Sequence, residues 1–148
     1  MFRTVILAGV LLAGVSAVTA QHDQVATTQL AMKSNLKSAL TLLDMVKGKK
    51  PYDQAAVDSA IAELEDVAKR FPALFPESIK GLRPKGDYHA SEKVWTQRPE
   101  FEARAAKFAQ TVGEAKGTIK DLDSLKATFP GLNNMCLNCH ETFRIKNG

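Results

Sequence analysis

Three residues near the C-terminus, Cys136, Cys139 and His140 in the run Cys136-Leu137-Asn138-Cys139-His140, constrain this 148-residue chain more than any others. On a helix the three share one face, because steps of three and four residues return to the same side. Two thiols at this spacing can each form a thioether to a haem vinyl group, and the adjacent imidazole can then reach the iron from the same side. C-x-x-C-H is accordingly the attachment signature of covalent c-type haem. The competing reading, a C-x-x-C thiol redox pair, belongs at the start of a helix that follows a strand, and no βαβ pattern precedes Cys136. These are the only two cysteines, so the expected content is one covalent haem c.

Residues 1–20 read as a secretory signal: a basic Arg3, an apolar run from Val5 to about Val18, and small residues in Val18-Thr19-Ala20, with cleavage expected after Ala20. The run is shorter than the roughly 20 apolar residues of a spanning helix, so no stable membrane anchor is expected. Export together with a haem-attachment motif points to the bacterial periplasm, with haem joined after export. Residues 21–148 then form one domain of ordinary size. Loss of the signal removes Arg3 and no acid, so the formal net charge falls from +4 to +3. This balance is too weak to argue for nucleic acid, and Lys47, Lys49 and Lys50 read as a solvated loop.

Hydrophobic spacing predicts an all-α chain. From His22 to about Val46 there is no proline or glycine, and Val25, Met32, Leu36, Ala39 and Leu43 recur near a 3.6-residue period. Gly48 and Pro51 break this helix, and Asp53 is the expected N-cap of a second. The second helix has the stripe Val57, Ile61, Leu64, Ala68 and Phe71, stopped by Pro72. The short connection makes the two helices antiparallel neighbours. Residues Pro72 to Arg98 read as a long crossover with at most one short helical piece. Thr96 is the expected cap of a third helix with Pro99 in its first turn and the stripe Phe101, Ala105, Phe108, Val112 and Ala115. A fourth helix is expected from about Leu122 to Ile145, kinked or split at Pro130-Gly131. No strand is expected. The fold class is an antiparallel four-helix bundle whose last helix holds the haem and whose other helices cover it.

The residue opposite His140 decides the chemistry, because the sixth iron position separates electron transfer from small-molecule binding. Met32 lies on the apolar stripe of the first helix, where a thioether could reach the iron; on spacing alone it reads equally as a flexible core filler. Met135 sits immediately before Cys136 and cannot reach round to the opposite face. Met45 is thirteen residues from Met32, about 20 Å along a helix, so at most one of them can sit at the iron. His22 and His89 read as surface residues.

The mature chain resembles the class II c-type cytochromes, the cytochrome c′ family. The matching motifs are Gly48-Lys49-Lys50-Pro51-Tyr52-Asp53 after the first helix, Val94-Trp95 before the third, and Cys136 to His140 followed by Phe143-Arg144. The resemblance implies a four-helix bundle with His140 as the proximal iron ligand. It also implies that Met32 occupies the position facing the opposite side of the haem, an apolar residue in high-spin members and an iron-binding methionine in the low-spin, His/Met-ligated branch that this sequence resembles. Where many high-spin members have a basic residue one turn earlier, this chain has Thr28. Arg144 resembles the family's basic residue near the haem, a haem contact or a solvated cation. Trp95 and Phe143 read as haem-edge contacts or core.

The expectation is a soluble periplasmic electron carrier, not an enzyme, that exchanges electrons with redox partner proteins; the alternative is a five-coordinate binder of nitric oxide or carbon monoxide. Peroxidase chemistry would need a proton-transfer residue at an open distal side, and Thr28 with Met32 is a poor pair for it. Monomer and homodimer are both compatible with the sequence.

Overall fold

In the computed structural model, residues 9–147 are described, with side chains from Thr19 onward. Arg3 and the start of the expected signal lie outside the described residues. The first helix, α1, spans Gly9–Val46. It begins before the expected His22 and runs unbroken through Ala20, where no proline separates the signal's apolar run from the amphipathic stretch. No helix among the described residues is long and apolar enough to cross a membrane.

Helix α1 ends in a tight turn where Gly48 adopts φ +70°, a conformation that costs glycine little. The amides of Lys49 and Lys50 both return to the Asp44 carbonyl. Asp53 then caps α2 (Gln54–Arg70) as expected, accepting from the amides of Ala55 and Ala56 at 2.9 and 3.2 Å. Beyond α2 the chain forms two 3-10 turns, Phe71–Leu74 and Glu77–Ile79, the strand β1 (Tyr88–Ala90) and the one-turn helix α3 (Lys93–Thr96). Helix α4 (Arg98–Thr118) and helix α5 (Leu122–Phe143) complete the bundle, and β2 (Arg144–Lys146) follows directly. Helix α1 packs on α2, α2 on α4, α4 on α5 and α5 on α1, closing the four-helix ring.

The expected crossover is instead an excursion that folds over one end of the bundle. Arg98, at the start of α4, donates to the carbonyls of Phe75 (2.9 Å) and Pro72 (3.0 Å), so α4 starts where α2 finishes. Thr96 does not cap α4; it closes α3, with its hydroxyl on the Glu92 carbonyl, and Gln97 occupies the cap position without a side-chain bond. The chain also has the strand pair that hydropathy did not predict. β1 and β2 run antiparallel with Ala90 opposite Arg144 and Tyr88 opposite Lys146, and the Ser91 amide bonds the Phe143 carbonyl at 2.9 Å. Three-residue strands are too short to show a period of two.

Pro130 lies inside α5, and the helix is not split there. Pro130 is exposed, as is Lys126, whose carbonyl loses its donor, so water can satisfy that carbonyl. The core has two parts. One, between the α1–α2 turn and mid-bundle, joins Leu42, Met45, Ile61, Leu64, Val112, Leu125 and Leu132. The other, at the excursion end, is aromatic: Phe71, Phe75, Trp95, Phe101 and Phe143 surround Val67 and Ala31. Phe101 meets Phe143 and Phe75 edge-on, with ring centroids 5.2 and 5.1 Å apart.

Candidate haem site

Cys136, Cys139 and His140 lie in the last two turns of α5, all half-buried, on a side that meets the rest of the bundle. Cys136 opens into an apolar crevice walled by Ala39 and Leu42 of α1, Leu64 of α2, Phe108 of α4, and Phe129 and Leu132 of α5. Its thiol faces the Leu132 carbonyl at 3.6 Å. Cys139 packs against the aromatic part of the core, and Met32 and Val25 of α1 pack against the same part. The fold therefore brings Met32 and the motif, more than a hundred residues apart in sequence, to one region of the bundle.

Cys136 and Cys139 are not joined in a disulfide. Burial pushes the Cys136 thiol up from its ordinary pKa. Burial does the same to Cys139, partly offset by the Arg104 guanidinium. His140 is pushed below the ordinary imidazole value, first by burial and then by the nearby Arg144 cation. All three groups are thereby biased toward their uncharged forms. A neutral imidazole is the form that coordinates a metal, and one of the two thiols, Cys136, stands at an apolar crevice.

Arg144 is not on a further turn of α5, as the expected helix to Ile145 would place it. The helix ends at Phe143 and Arg144 is the extended first residue of β2, with its guanidinium 4.1 Å from the centre of the Tyr88 ring. Thr28 is buried, and its hydroxyl is committed to the backbone, 2.6 Å from the Leu74 carbonyl and 3.0 Å from that of Gln24. It ties α1 to the excursion. The other residues considered for the iron are engaged or remote: Met45 is core, Met135 packs against the aliphatic core, His22 is exposed, and His89 Nδ1 pairs with Asn147 Oδ1 at 2.6 Å. Trp95 is core, with its indole N–H on the Pro76 carbonyl at 3.0 Å.

Arg104 of α4 was missed by the sequence reading. It donates to the Asn138 carbonyl inside the motif, pairs with Glu100 and lies 5.3 Å from the centre of the Phe143 ring. Only its place beside the Phe101–Ala105–Phe108 stripe could have suggested it. A second is Asn35, one turn beyond Met32, whose Oδ1 is buried without a hydrogen-bond partner. An orphaned polar atom of this kind costs about 1–3 kcal/mol.

A ring of four antiparallel helices with a C-x-x-C-H face turned inward defines a bundle-type c-type cytochrome. A family model described as Cytochrome C′ matches residues 23–144, and the chain belongs to that family. It is 49% identical to cytochrome c-556 of Rhodopseudomonas palustris over the whole of both chains, and 37% identical to cytochrome c-555 of Bradyrhizobium diazoefficiens over 99% of each. An NMR-validated structural model of oxidized R. palustris cytochrome c556 superposes with a TM-score of 0.76 at 46% identity, covering 86% of this chain and 99% of that one. Cytochrome c′ from R. palustris superposes at 0.78 with 34% identity, covering 85% and 98%. The family carries covalent haem c, and the cofactor of this chain is haem c.

Proposed function

We propose that the protein is a periplasmic electron carrier, exported with a signal cleaved after Ala20, in which Cys136 and Cys139 would hold one haem c by thioethers while His140 and Met32 would ligate its iron. Redox partner proteins, rather than a substrate to be transformed, are then its counterparts. The observation that carries the reading is that Met32 and Cys139 pack against the same buried cluster. The haem supplies the one-electron couple; the chain's own groups set its surroundings. A thioether ligand favours ferrous iron and raises the reduction potential. Burial, and then Arg144, lower the pKa of the half-buried imidazole of His140 and so favour its neutral form. Aromatic packing around Cys139 keeps water from one side, and the bond from Arg104 to Asn138 steadies the motif's backbone. With Thr28 bonded to Leu74, no free hydroxyl at that position is available for proton transfer.

Replacing Met32 with Ala separates this reading from a five-coordinate binder of nitric oxide or carbon monoxide. The parent is expected to give a low-spin ferrous spectrum with sharp α and β bands that carbon monoxide leaves unchanged. The Met32→Ala protein is expected to become high-spin in the ferric state and to bind carbon monoxide. A parent that already binds carbon monoxide, or a variant with an unchanged spectrum, removes Met32 from the iron.

A further inference from the structure

We propose that the corner formed by β1, β2 and the residues leading into them is the docking face for an acidic patch on a protein redox partner; this rests on the electron-carrier reading. The first observation is how charge is distributed. Residues 80–93 and 144–146, far apart in sequence but joined by the β1–β2 pairing, hold six basic residues (Lys80, Arg83, Lys85, Lys93, Arg144, Lys146) and two acidic ones (Asp87, Glu92). The rest of residues 21–148 holds 13 basic and 14 acidic residues. The positive net charge of the mature chain is therefore concentrated on this corner.

Pairing makes the contrast sharper. Among the described residues, the other basic members of ion pairs answer carboxylates of the helices: Lys69 and Lys116 on Glu65, Arg70 on Asp66, Arg98 on Glu102, Arg104 on Glu100 and Lys49 on Asp44. At the corner only Lys80 has such a partner, a loose 3.8 Å contact with Glu77. The second observation is that the corner is not purely charged. By the strand register the exposed Tyr88 shares one face with Arg144 and Lys146, while the exposed Ile145 lies on the other face, where it lines an open cleft with Arg83 and His89. Cations of one sign beside exposed apolar side chains suit a transient protein interface, where the charges steer a complementary partner. The third observation is position. β2 continues directly from the helix bearing His140, and Ser91 is bonded to the Phe143 carbonyl, so a partner on this face sits against the haem-bearing element.

Voltammetry of the haem-loaded protein on gold carrying a carboxylate-terminated monolayer tests this, the monolayer standing for an acidic partner surface. At low ionic strength the parent is expected to bind and exchange electrons there, and to lose this response as salt shortens the range of the field. The triple variant Arg83→Glu, Lys85→Glu, Lys146→Glu is expected to lose at least about tenfold in electron-exchange rate. The control Lys47→Glu, Lys49→Glu, Lys50→Glu changes the net charge equally at the opposite end of the bundle and is expected to keep most of it. Single Arg83→Glu and Lys146→Glu variants, each checked for the parent's visible spectrum, give the same ordering should the triple variant not fold. Equal losses in both triple variants would overturn the proposal in favour of net charge alone. Parent binding to phosphatidylglycerol vesicles with no response on the monolayer would overturn it in favour of a membrane surface. A parent that exchanges no electrons even with ferricyanide in solution would instead sink the electron-carrier reading.

Discussion

Helices α1 and α2 lie side by side, yet they use their apolar residues differently. In α2 the row Val57, Ile61, Leu64 and Ala68 is wholly buried, and the opposite face is polar. In α1 the most regular apolar row, Val25, Met32, Leu36, Ala39 and Leu43, is only partly covered, and Leu36 is 59% exposed. The row of α1 that meets the bundle core lies about 100° round the helix and consists of Thr28, Ala31, Ser38, Leu42 and Met45. A helix that only closes a core needs one apolar row. Helix α1 carries a second, partly covered row as well: Met32 packs at the margin of the aromatic cluster, and Ala39 lines the crevice beside Cys136.

The largest effect expected from this contrast is between two leucines on α1. Leu42 is 0% exposed in the aliphatic core, so Leu42→Ala should cost about 2–5 kcal/mol through lost burial and the cavity left behind. Leu36→Ala, on the other row, should change stability by no more than about 0.5 kcal/mol. Urea unfolding of the two haem-loaded variants measures both. Equal costs would mean that the second row is as buried as the first and would break the comparison.

An intermediate effect belongs to Thr28, the polar member of the buried row. Replacing it with the near-isosteric Val leaves the shape but takes the 2.6 Å donor from the buried Leu74 carbonyl, which keeps only Gln24 Nε2 at 3.4 Å, at an expected cost of about 1–3 kcal/mol. Thr28→Ser, which keeps the hydroxyl, should recover most of it. If Val is tolerated without loss, the Thr28 bond contributes nothing and α1 is held to the excursion by its apolar contacts and the Gln24 and Gln29 bonds.

These residues also mark where the sequence was legible. The stripes of α2 and α4 were readable because each helix buries one face, so a single 3.6-residue period named Val57 to Phe71 and Phe101 to Ala115 correctly. In α1 the same rule named the partly covered row and missed the wholly buried one, in which Thr28, Ala31 and Ser38 carry little hydropathy signal beside Leu42 and Met45. The motif was readable as chemistry, because Cys136, Cys139 and His140 have a spacing with few other uses. Its supports were not: Arg104 reaches it from another helix, and the Tyr88–Arg144 stack depends on a strand pairing across more than fifty residues. Pro130 illustrates a third limit. A proline in a helix signals a break, and only its exposure in the folded bundle tells that α5 continues through it.

The smallest expected effect contrasts α2 with α1 at the surface. Glu65 of α2 receives Lys116 of α4 at 2.7 Å and Lys69 of its own helix at 2.9 Å, so it pins α2 to α4 by charge, whereas Ser34 of α1 reaches α2 through a hydrogen bond from its hydroxyl to Glu63. Hydrogen bonds from Lys116 and then Lys69 hold its carboxyl well below the ordinary range, at about 2. A carboxylate whose folded pKa is lowered stabilises the fold fully above its unfolded pKa of about 4.3 and loses that contribution as pH falls toward about 2, because the unfolded chain binds the proton first. The melting temperature of the parent should therefore exceed that of Glu65→Gln at pH 5 to 7, with the gap closing as pH falls through roughly 4 to 2. About 1 M salt should shrink the gap at neutral pH, since these charges are solvent-accessible and the screening length there is about 3 Å. A gap unchanged from neutral pH down to about 2 would mean that Glu65 acts through packing rather than charge, and the clamp between α2 and α4 would lose its electrostatic basis.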